Sequence, residues 1–492
     1  MDYLTATKNG VFCDGKPYLL RGMGLGNWFL TEGYMWKFYT KCDRPRRIET
    51  LVEELCGTEY AKEFWKEFYE RYITKEDIRW IKEQGLNSVR LPINARHLFY
   101  MDTSMDVFFR EEILAKLDQC ISWCKEYGIY LFIDMHAAPG GQTGTNIDDS
   151  KNDSPDLFVD PIYEEILIKC WHLLSSRYKD NSVVGGYDLL NEPLPNWNKQ
   201  YNKKVVPLYR KLIQTIRTVD KKHMIILEGV HWASDFSIFS KMKKEELADN
   251  IMLEFHKYWN NPDVESMEEF IRIASSKEVP LWMGEGGENN SDWYTTAFPM
   301  YERNNIGWCF WSYKKMDTSN SPVSYDEPTD WKKILDYLDG KGALDKKSAC
   351  EIFDTYLSSI ASPHYREEVI RALLRKAPLS IPAIAYDVCD IKSERTEGAL
   401  FRISDPVTIC FADGHKGEPD WKRYGGEEQP IKERLEITLK KGDSVGYRIE
   451  GGRDAAAEYT GDGKLTIEKR EDGLTWVTCE GQEVRLKRMK FQ

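Results

Sequence analysis

The sequence lacks any long apolar run. None of its 492 residues falls in an uninterrupted apolar stretch that approaches the roughly 20 residues a membrane-spanning helix needs. The opening residues, MDYLTATKNGVFCDGKPYLL, also lack the basic start, apolar core and small-residue cleavage site of a secretory leader. We therefore expect a protein without membrane insertion that works in the cytoplasm, or a secreted one whose leader has been removed.

Cysteines spaced for a metal site or a disulfide scaffold are missing as well. The eleven cysteines, an odd number, are scattered from Cys13 to Cys479. Cys120 and Cys124 have the i, i+4 spacing of one helix face, which more often serves packing than chemistry. The pattern indicates reduced thiols, and the sequence predicts neither a metal nor a cofactor.

Positive charge is too scarce for a nucleic-acid partner. The net charge is −12, whereas phosphates require a basic face. A neutral ligand fits this balance better, and an aromatic content of 13% with sixteen Trp would supply stacking surfaces for sugars, although most Trp of a large protein fill its core. At 492 residues the chain should build more than one hydrophobic core.

A short apolar segment recurs eight times before residue 315, each time next to an amphipathic stretch with helical spacing. In TKEDIRWIKEQGLNSVRLPI, for example, Thr74 is a plausible helix N-cap and Gly85 a helix end. Eight repeats predict an α/β fold of the (β/α)₈ TIM-barrel type. A doubly wound sheet is the rival, but no Gly-rich phosphate loop follows the first strand. The expected strands are Leu19–Gly24, Ser88–Ile93, Tyr130–Met135, Gly186–Asn191, Met224–Gly229, Ile251–His256, Pro280–Gly284 and Gly307–Ser312.

The two ends of the chain follow other patterns. Asn9-Gly10 and Asp14-Gly15 flank VFC with the spacing of a hairpin, which we expect to plug the barrel floor. After residue 380 the segments RLEITL, DSVGYRIE, KLTIEK, LTWVTCE and EVRLKRMKF alternate as half-buried strands do. We therefore expect a catalytic barrel over residues 1–376 and a C-terminal all-β, sandwich-like domain over residues 377–492.

Polar residues follow most of the apolar segments, at the rim where barrel enzymes carry their chemistry. Any one of them could be structural: Arg90 as half of a buried ion pair, His256 as a satisfied core histidine. Their common position on seven strands favours function over packing. The set comprises Arg90, Asp134, His136, Asn191, Glu192, Glu228, His231, His256, Tyr258, Glu285 and Trp311.

Glu192 and Glu285 follow the fourth and seventh segments, across the barrel mouth from each other. Glycoside hydrolysis needs one protonated carboxylic acid and one carboxylate anion, and a separation of about 5–5.5 Å gives retention through a covalent intermediate. We predict Glu192 and Glu285 as the catalytic pair, one acting as general acid/base and the other as nucleophile. A metal site is the other use of such residues, but no HxH or ExxH spacing supports it.

Several motifs together resemble glycoside hydrolase family 5. Leu190-Asn191-Glu192-Pro193 resembles its acid/base signature, and Trp282-Met283-Gly284-Glu285 resembles its nucleophile strand. The likeness extends over about residues 10 to 340 through LRGMGLGNW, NSVRLPI, DMHAAPGGQTG and WCFWSYK. It does not cover the last 110 or so residues.

The resemblance implies a role for each matching residue. Arg90 would orient the nucleophile, and Asn191 would bind the 2-hydroxyl of the sugar in the cleavage subsite, which His136 would line. His256 and Tyr258 would steady the carboxylates, and Trp311 would form the floor under the sugar ring.

Within the family, the exo-β-1,3-glucanase branch is most similar, because it places an acid four positions after a first-strand Trp, as Glu32 follows Trp28 here. In that branch the acid binds hydroxyls of the terminal glucose. The departures from that branch are Asn27 in place of a usual Gly, a barrel without an evident leader, and the added β domain. For an intracellular enzyme we expect short β-glucosides, or glycosides of lipids or plant compounds, as substrates in place of an insoluble glucan.

Three other functions stay open at this point. They are an endo-acting β-glucanase, a glycolipid glycosidase of the same family, and a non-catalytic carbohydrate-binding protein. The C-terminal domain could bind sugar through exposed aromatics such as Trp421 and Tyr424 or simply support the barrel, and we favour support. Oligomeric state is not predicted.

Overall fold

The computed structural model describes residues 1–39, 41–421 and 426–492. Its centre is a closed barrel of eight parallel strands in which each strand pairs with the next along the chain and the last pairs with the first. The fold class predicted from the eight repeats is confirmed. The barrel strands are β1 (Arg21–Gly24), β2 (Ser88–Asn94), β3 (Tyr130–Ala137), β4 (Val184–Asp188), β5 (Met224–Glu228), β6 (Ile251–Lys257), β7 (Leu281–Gly287) and β8 (Gly307–Trp311).

Helices connect the barrel strands on the outside. The predicted boundary at Thr74 and Gly85 is correct: Thr74 caps its helix in a capping box with Asp77, and Gly85 has φ +91° just beyond the end. The helices are α1 (Pro45–Cys56), α2 (Thr58–Arg71), α3 (Lys75–Glu83), α4 (Ala95–Leu98), α5 (Glu111–Tyr127), α6 (Pro161–Tyr178), α7 (Asn202–Val219), α8 (Glu268–Lys277), α9 (Ser291–Arg303), α10 (Trp331–Leu338), α11 (Lys346–Ile360) and α12 (Glu367–Leu374).

Short elements decorate this scaffold. The turn Val230–Ala233 after β5 has left-handed backbone angles at His231 and Trp232. The 3₁₀ turns are Gly33–Trp36, Asp156–Phe158, Asn196–Tyr201, Ser237–Lys241, Lys244–Leu247, Glu265–Met267, Ala383–Ala385 and Ile431–Glu433. The small strands outside the barrel are Phe99–Met101, Val107–Phe109, Lys314–Met316, Val323–Tyr325 and His364–Tyr365.

The interior of the barrel has an apolar floor and a polar upper layer. Side chains alternate along each strand, so every second residue points inward. On β3 the inward side chains run from Phe132 in the apolar floor to Asp134, and on β6 they run from Met252 to Glu254. The polar layer therefore lies toward the carboxyl ends of the strands, where barrel active sites form.

The N-terminal segment packs against that floor. Leu4–Thr7, Gly10–Cys13 and Lys16–Pro17 form a three-stranded antiparallel sheet. Leu4 belongs to the same buried cluster as Phe132 and Trp282. The sheet thus covers the amino end of the barrel, opposite the polar layer.

The C-terminal residues form two antiparallel sheets. The first joins β9 (Leu379–Pro382), β11 (Thr408–Phe411), β12 (Leu435–Leu439), β14 (Ala455–Gly461) and β17 (Val484–Phe491). The second joins β10 (Val388–Asp390), β13 (Ser444–Tyr447), β15 (Leu465–Lys469) and β16 (Thr475–Cys479). The five predicted alternating segments are all strands.

Three other observations bear on the sequence predictions. All eleven cysteines are unbridged. Among the described helices, none combines the length and apolar character needed to cross a bilayer. The prediction that Trp421 is exposed is wrong, since the side chain is only 3% exposed; Tyr424 lies outside the described residues.

Candidate active site

Arg90 is the centre of the polar layer. Its side chain is fully buried, and its guanidinium pairs with five carboxylates on five different strands or strand ends. The partners are Asp134 at 3.1 Å, Asp188 at 2.7 Å, Glu228 at 3.0 Å, Glu254 at 3.5 Å and Glu285. The structure thus places Arg90 in a buried ion cluster and against the predicted nucleophile at once.

One guanidinium cannot neutralise five buried carboxylates, so some of them must hold protons. Burial raises the pKa of Asp134 to about 7 and that of Asp188 to about 6. Burial, followed by the charge of Asp188, raises the pKa values of Glu228 and Glu254 well above their usual range. The polar layer is therefore partly protonated, and it lies beneath the catalytic groups.

Glu192 sits directly above this layer in a constrained backbone. Its φ is +44°, a left-handed conformation that is uncommon for a residue with a Cβ. The backbone N–H of Glu192 donates to Oε2 of Glu228 at 2.6 Å, while Oε1 of Glu228 accepts from Arg90. Glu228 therefore links the guanidinium to the turn that carries the predicted general acid.

The surroundings of Glu192 favour its protonated form. The residue is 8% exposed, and burial raises its pKa to about 7, against the opposing effects of His136 and Arg90. A carboxylic acid with that pKa holds its proton over the slightly acidic to neutral range, as a general acid must.

His256 links Glu192 to the polar layer. Its Nδ1 lies 2.7 Å from Oε1 of Glu192, and its Nε2 lies 3.2 Å from Oε1 of Glu254. Burial lowers the pKa of His256 to about 3, so the ring is neutral and carries one N–H. With that hydrogen on Nε2, Nδ1 accepts from the protonated Glu192, and every hydrogen bond has a donor and an acceptor.

Glu285 is held by two donors from opposite sides. Arg90 Nη1 donates to its Oε1, and the Tyr258 hydroxyl donates to its Oε2 at 2.6 Å. Glu285 is 3% exposed. A carboxylate oxygen of Glu192, one of Glu285 and a ring nitrogen of His256 all lie within 4.8 Å of one another. The predicted catalytic pair therefore converges on one point at the barrel mouth.

Asn191 offers an unused donor at the same point. Its Oδ1 accepts from Arg90 Nη2 at 2.8 Å, which fixes the orientation of the amide. Its Nδ2 is buried and has no partner among the described residues. A buried amide N–H₂ left open is costly unless a ligand pairs with it, so the geometry suits a group that binds a sugar hydroxyl.

Trp311 and His136 form an aromatic wall. Their rings stack with centroids 5.5 Å apart, and His136 Nδ1 lies 2.7 Å from Asp134. Burial lowers the pKa of His136 to about 4, so this ring is also neutral. A Cβ on Gly24 would lie 2.6 Å from the Trp311 ring. Position 24 of the first-strand motif is therefore a glycine, because any larger residue would clash with the indole.

Glu32 belongs to a second group of charges beside the catalytic pair. It is 3% exposed, and its Oε1 has no partner in the described part of the chain. Burial, then the charges of Glu285, Glu288 and Glu192, raises its pKa well above the usual range. Lys315 Nζ donates to Glu288 Oε1 at 2.9 Å, and both side chains are largely buried.

The nine residues predicted to act in catalysis or sugar binding thus lie at one end of the barrel. Sequence reasoning missed Asp188 and Glu254 of the polar layer, and Glu288 and Lys315 beside it. Glu288 follows β7 by one residue, and Lys315 lies four positions after Trp311. The available signal was position alone, since both occupy strand-end loops of the kind that carry chemistry. A lysine in such a loop is ordinarily a solvated charge, so nothing in the local pattern distinguished it.

The same residues could approach a metal ion. Asp134, His136 and Glu285 lie close enough to share one, as do Glu192, His256 and Glu285. However, Arg90 already pairs with Asp134 and Glu285, and a guanidinium and a divalent cation would repel each other across a few ångströms. The donor set therefore fits acid/base chemistry better than metal binding.

Two converging carboxyl groups beside an aromatic wall, one of them with a raised pKa and the other held by Arg90 and Tyr258, lie at the carboxyl ends of a closed parallel barrel. This is the arrangement with which glycoside hydrolases break acetals. The model of the family described as cellulase (glycosyl hydrolase family 5) matches residues 51–317. The chain belongs to glycosyl hydrolase family 5 and is a glycoside hydrolase.

Curated relatives carry different names. A protein named beta-xylosidase from Phanerodontia chrysosporium is 28% identical over 350 residues, covering 64% of this chain and 71% of its own length. Endoglucanase C from Acetivibrio thermocellus is 25% identical over 312 residues, covering 52% of this chain and 88% of the relative.

A third relative, named glucan 1,3-beta-glucosidase 2, from Wickerhamomyces anomalus, is 30% identical over 195 residues, covering 38% of this chain and 44% of its own. Among solved structures, that of AoRut matches with a TM-score of 0.51 at 16% identity, covering 62% of this chain and 91% of the other. That structural likeness concerns the fold alone.

Proposed function

We propose that this enzyme is a retaining β-glucosidase, similar to exo-β-1,3-glucanases, that releases single glucose units from the non-reducing end of short β-linked glucosides. In the first step Glu285 attacks the anomeric carbon while the bond to the leaving oxygen breaks and the proton of Glu192 passes to that oxygen. In the second step Glu192 takes a proton from water, and the oxygen of that water displaces Glu285.

The proximity of the two carboxylates supports retention. Oxygens of Glu192 and Glu285 lie within 4.8 Å, whereas inverting enzymes separate the two carboxyl groups by about 6.5–9.5 Å to admit a water molecule. The pKa of about 7 for Glu192 supports its role as the acid of the first step.

The exo action rests on one observation, the buried and unpartnered oxygen of Glu32. It lies within the electrostatic reach of Glu285, Glu288 and Lys315. A buried oxygen without a partner is costly unless a ligand pairs with it, and hydroxyls at the end of a sugar chain would do so.

Products from a panel of substrates test this proposal. Aryl β-glucosides and β-xylosides are compared, together with glucose hexasaccharides in β-1,3, β-1,4 and β-1,6 linkage, each labelled at its reducing end. We expect unlabelled glucose and a labelled pentasaccharide as first products of a hexasaccharide, and NMR should detect the β-anomer of glucose first. The xyloside arm is included because a relative is named beta-xylosidase.

Glu32 provides the matched variants. We expect Glu32→Ala to lower kcat/KM by roughly 100-fold, because polar sugar groups lose their partner. Glu32→Gln should lose less, because glutamine imitates a protonated carboxylic acid in size and donors. Early release of mixed longer oligosaccharides, with Glu32→Ala close to wild type, would instead establish an endo-acting enzyme.

A further inference from the structure

The side chain of Asn289 joins the catalytic strand region to the C-terminal domain. It directly follows Glu288, it is fully buried, and its amide uses all of its hydrogen-bonding groups. Nδ2 donates to the backbone carbonyl of Tyr258 at 3.0 Å and to that of Trp421 at 2.7 Å. Oδ1 accepts from the backbone N–H of Asn290 at 2.9 Å.

Tyr258 is the residue that this amide holds on the barrel side. It lies just after β6, where the regular hydrogen bonding of the barrel ends. Its hydroxyl donates to Oε2 of Glu285 at 2.6 Å. The position of the Tyr258 main chain therefore sets the distance of that hydroxyl from the nucleophile.

Trp421 supplies the contact on the other side. Its indole is 3% exposed and packs near Phe401, with ring centroids 6.3 Å apart. Asp420 directly precedes Trp421, and its carbonyl accepts from Gln429 Nε2 at 2.8 Å. The carbonyl that Asn289 binds thus belongs to a packed and hydrogen-bonded part of the C-terminal domain.

Other contacts place that domain against the same side of the barrel. Asn261, in the loop after β6, donates to the carbonyl of Leu400 at 3.2 Å. Asp292, at the start of α9 after β7, forms a two-pronged ion pair with Arg488, with both distances 2.8 Å. The C-terminal domain therefore contacts the loops that follow the strands of Tyr258 and Glu285.

We propose that Asn289 is a positioning residue through which the C-terminal domain holds Tyr258 against the nucleophile. The domain is then part of the catalytic unit, which goes beyond passive support of the barrel. The inference rests on the roles of the two carboxylates in the proposed function and does not depend on which sugar the enzyme prefers.

A double-mutant cycle on the full-length enzyme tests it. The substrate is the dinitrophenyl β-glycoside that the wild type cleaves fastest. If that sugar is not glucose, the proposed sugar preference is wrong, but the comparison of the four enzymes is still valid. We expect Asn289→Ala to lower kcat by roughly tenfold, because small displacements of catalytic groups are costly. KM should change by less than about twofold, since the Asn289 amide is fully buried and is bound to backbone groups of the protein.

The Tyr258→Phe background identifies the route of the effect. If Asn289 acts through the hydroxyl of Tyr258, Asn289→Ala should lower kcat by less than about twofold once that hydroxyl is gone. Full additivity of the two losses would overturn the proposal. So would an Asn289→Ala enzyme with a lower melting temperature and unchanged kcat, since that result is typical of a purely structural contact.

Asn261→Ala is the matched control, because it removes the same kind of amide-to-carbonyl contact between the domains without touching Tyr258. We expect it to leave kcat within about twofold of wild type. If Asn289→Ala fails to fold, Gln429→Ala replaces it as the test, because it removes the hydrogen bond to Asp420 beside Trp421 in the C-terminal domain. It should lower kcat at least about threefold in the wild type and have no effect in Tyr258→Phe; an unchanged kcat would overturn the proposal.

Discussion

Replacing Glu192 by glutamine should stabilise the protein, and only above a defined pH. The pKa of Glu192 is raised from 4.5 to about 7 in the folded enzyme because the side chain is buried. The folded state therefore binds a proton that the unfolded state releases between these two values. Wild-type stability falls as pH rises through this window, because the native state holds more protons there than the unfolded state. Glutamine has no proton to lose and escapes that decline.

The size of the effect follows from the width of the window. A shift of one pKa unit corresponds to about 1.4 kcal/mol, so the rise to about 7 gives a gain of about 3 kcal/mol for Glu192→Gln above pH 7. The gain should vanish below pH 4.5, where the acid is protonated in both states. Glutamine keeps the size of the side chain and a donor for His256 Nδ1, 2.7 Å from Oε1 in the wild type.

Urea unfolding of both proteins at several pH values, followed by circular dichroism, measures this difference. The exposed Glu165 provides the control, since Glu165→Gln should change stability by less than about 0.5 kcal/mol at any pH. The same ionisation should appear in the wild type as a loss of kcat/KM above pH 7, because the acid must be protonated. An equal gain for Glu192→Gln at acidic and alkaline pH would refute burial as the cause.

Two further predictions concern the catalytic pair and the strand that carries it. Glu285→Ala should abolish turnover, and added azide should then give an α-glycosyl azide from an activated β-glycoside. Glu192→Ala should accumulate the glycosyl-enzyme intermediate, which azide should convert to the β-glycosyl azide. NMR of the products distinguishes the two azides, and absence of the β-azide would contradict the assignment. Gly284→Ala should destabilise the protein by about 3 kcal/mol or more, because its Cβ would lie 1.5 Å from Oε1 of Glu254. Urea unfolding checks this against Gly342→Ala, where an added Cβ meets nothing within 4 Å, and equal effects of the two would count against the argument.

Local pattern was sufficient to predict much of the barrel and the rim position of Glu192 and Glu285. Apolar segments with helical stretches between them define parallel strands, because each such strand needs a crossover helix. Strand ends then place Glu192 and Glu285 on one rim. The predicted fourth strand, Gly186–Asn191, was displaced toward its carboxyl end, since β4 runs from Val184 to Asp188. Asn191 and Glu192 lie in the following turn, where Glu228 accepts from the backbone N–H of Glu192.

The common contact of the polar layer with Arg90 could not be predicted from local pattern. Asp134 and Glu228 were predicted as rim residues, but each acid of the layer is an isolated polar residue in an apolar strand. Only closure of the barrel brings them to one guanidinium. Their raised pKa values come from burial, a property of the closed barrel that no single strand has.

The sequence by itself determined the order of strands and helices, the all-β character of the C-terminal region and the position of Glu192 and Glu285 on one rim, because periodicity and strand-end position are properties of neighbouring residues. Only the tertiary structure decided the raised pKa of Glu192, the burial of Trp421 and the contact between Asn289 and Trp421, which are 132 positions apart. These depend on which distant groups exclude water from one another, and exclusion of water is set by packing in three dimensions.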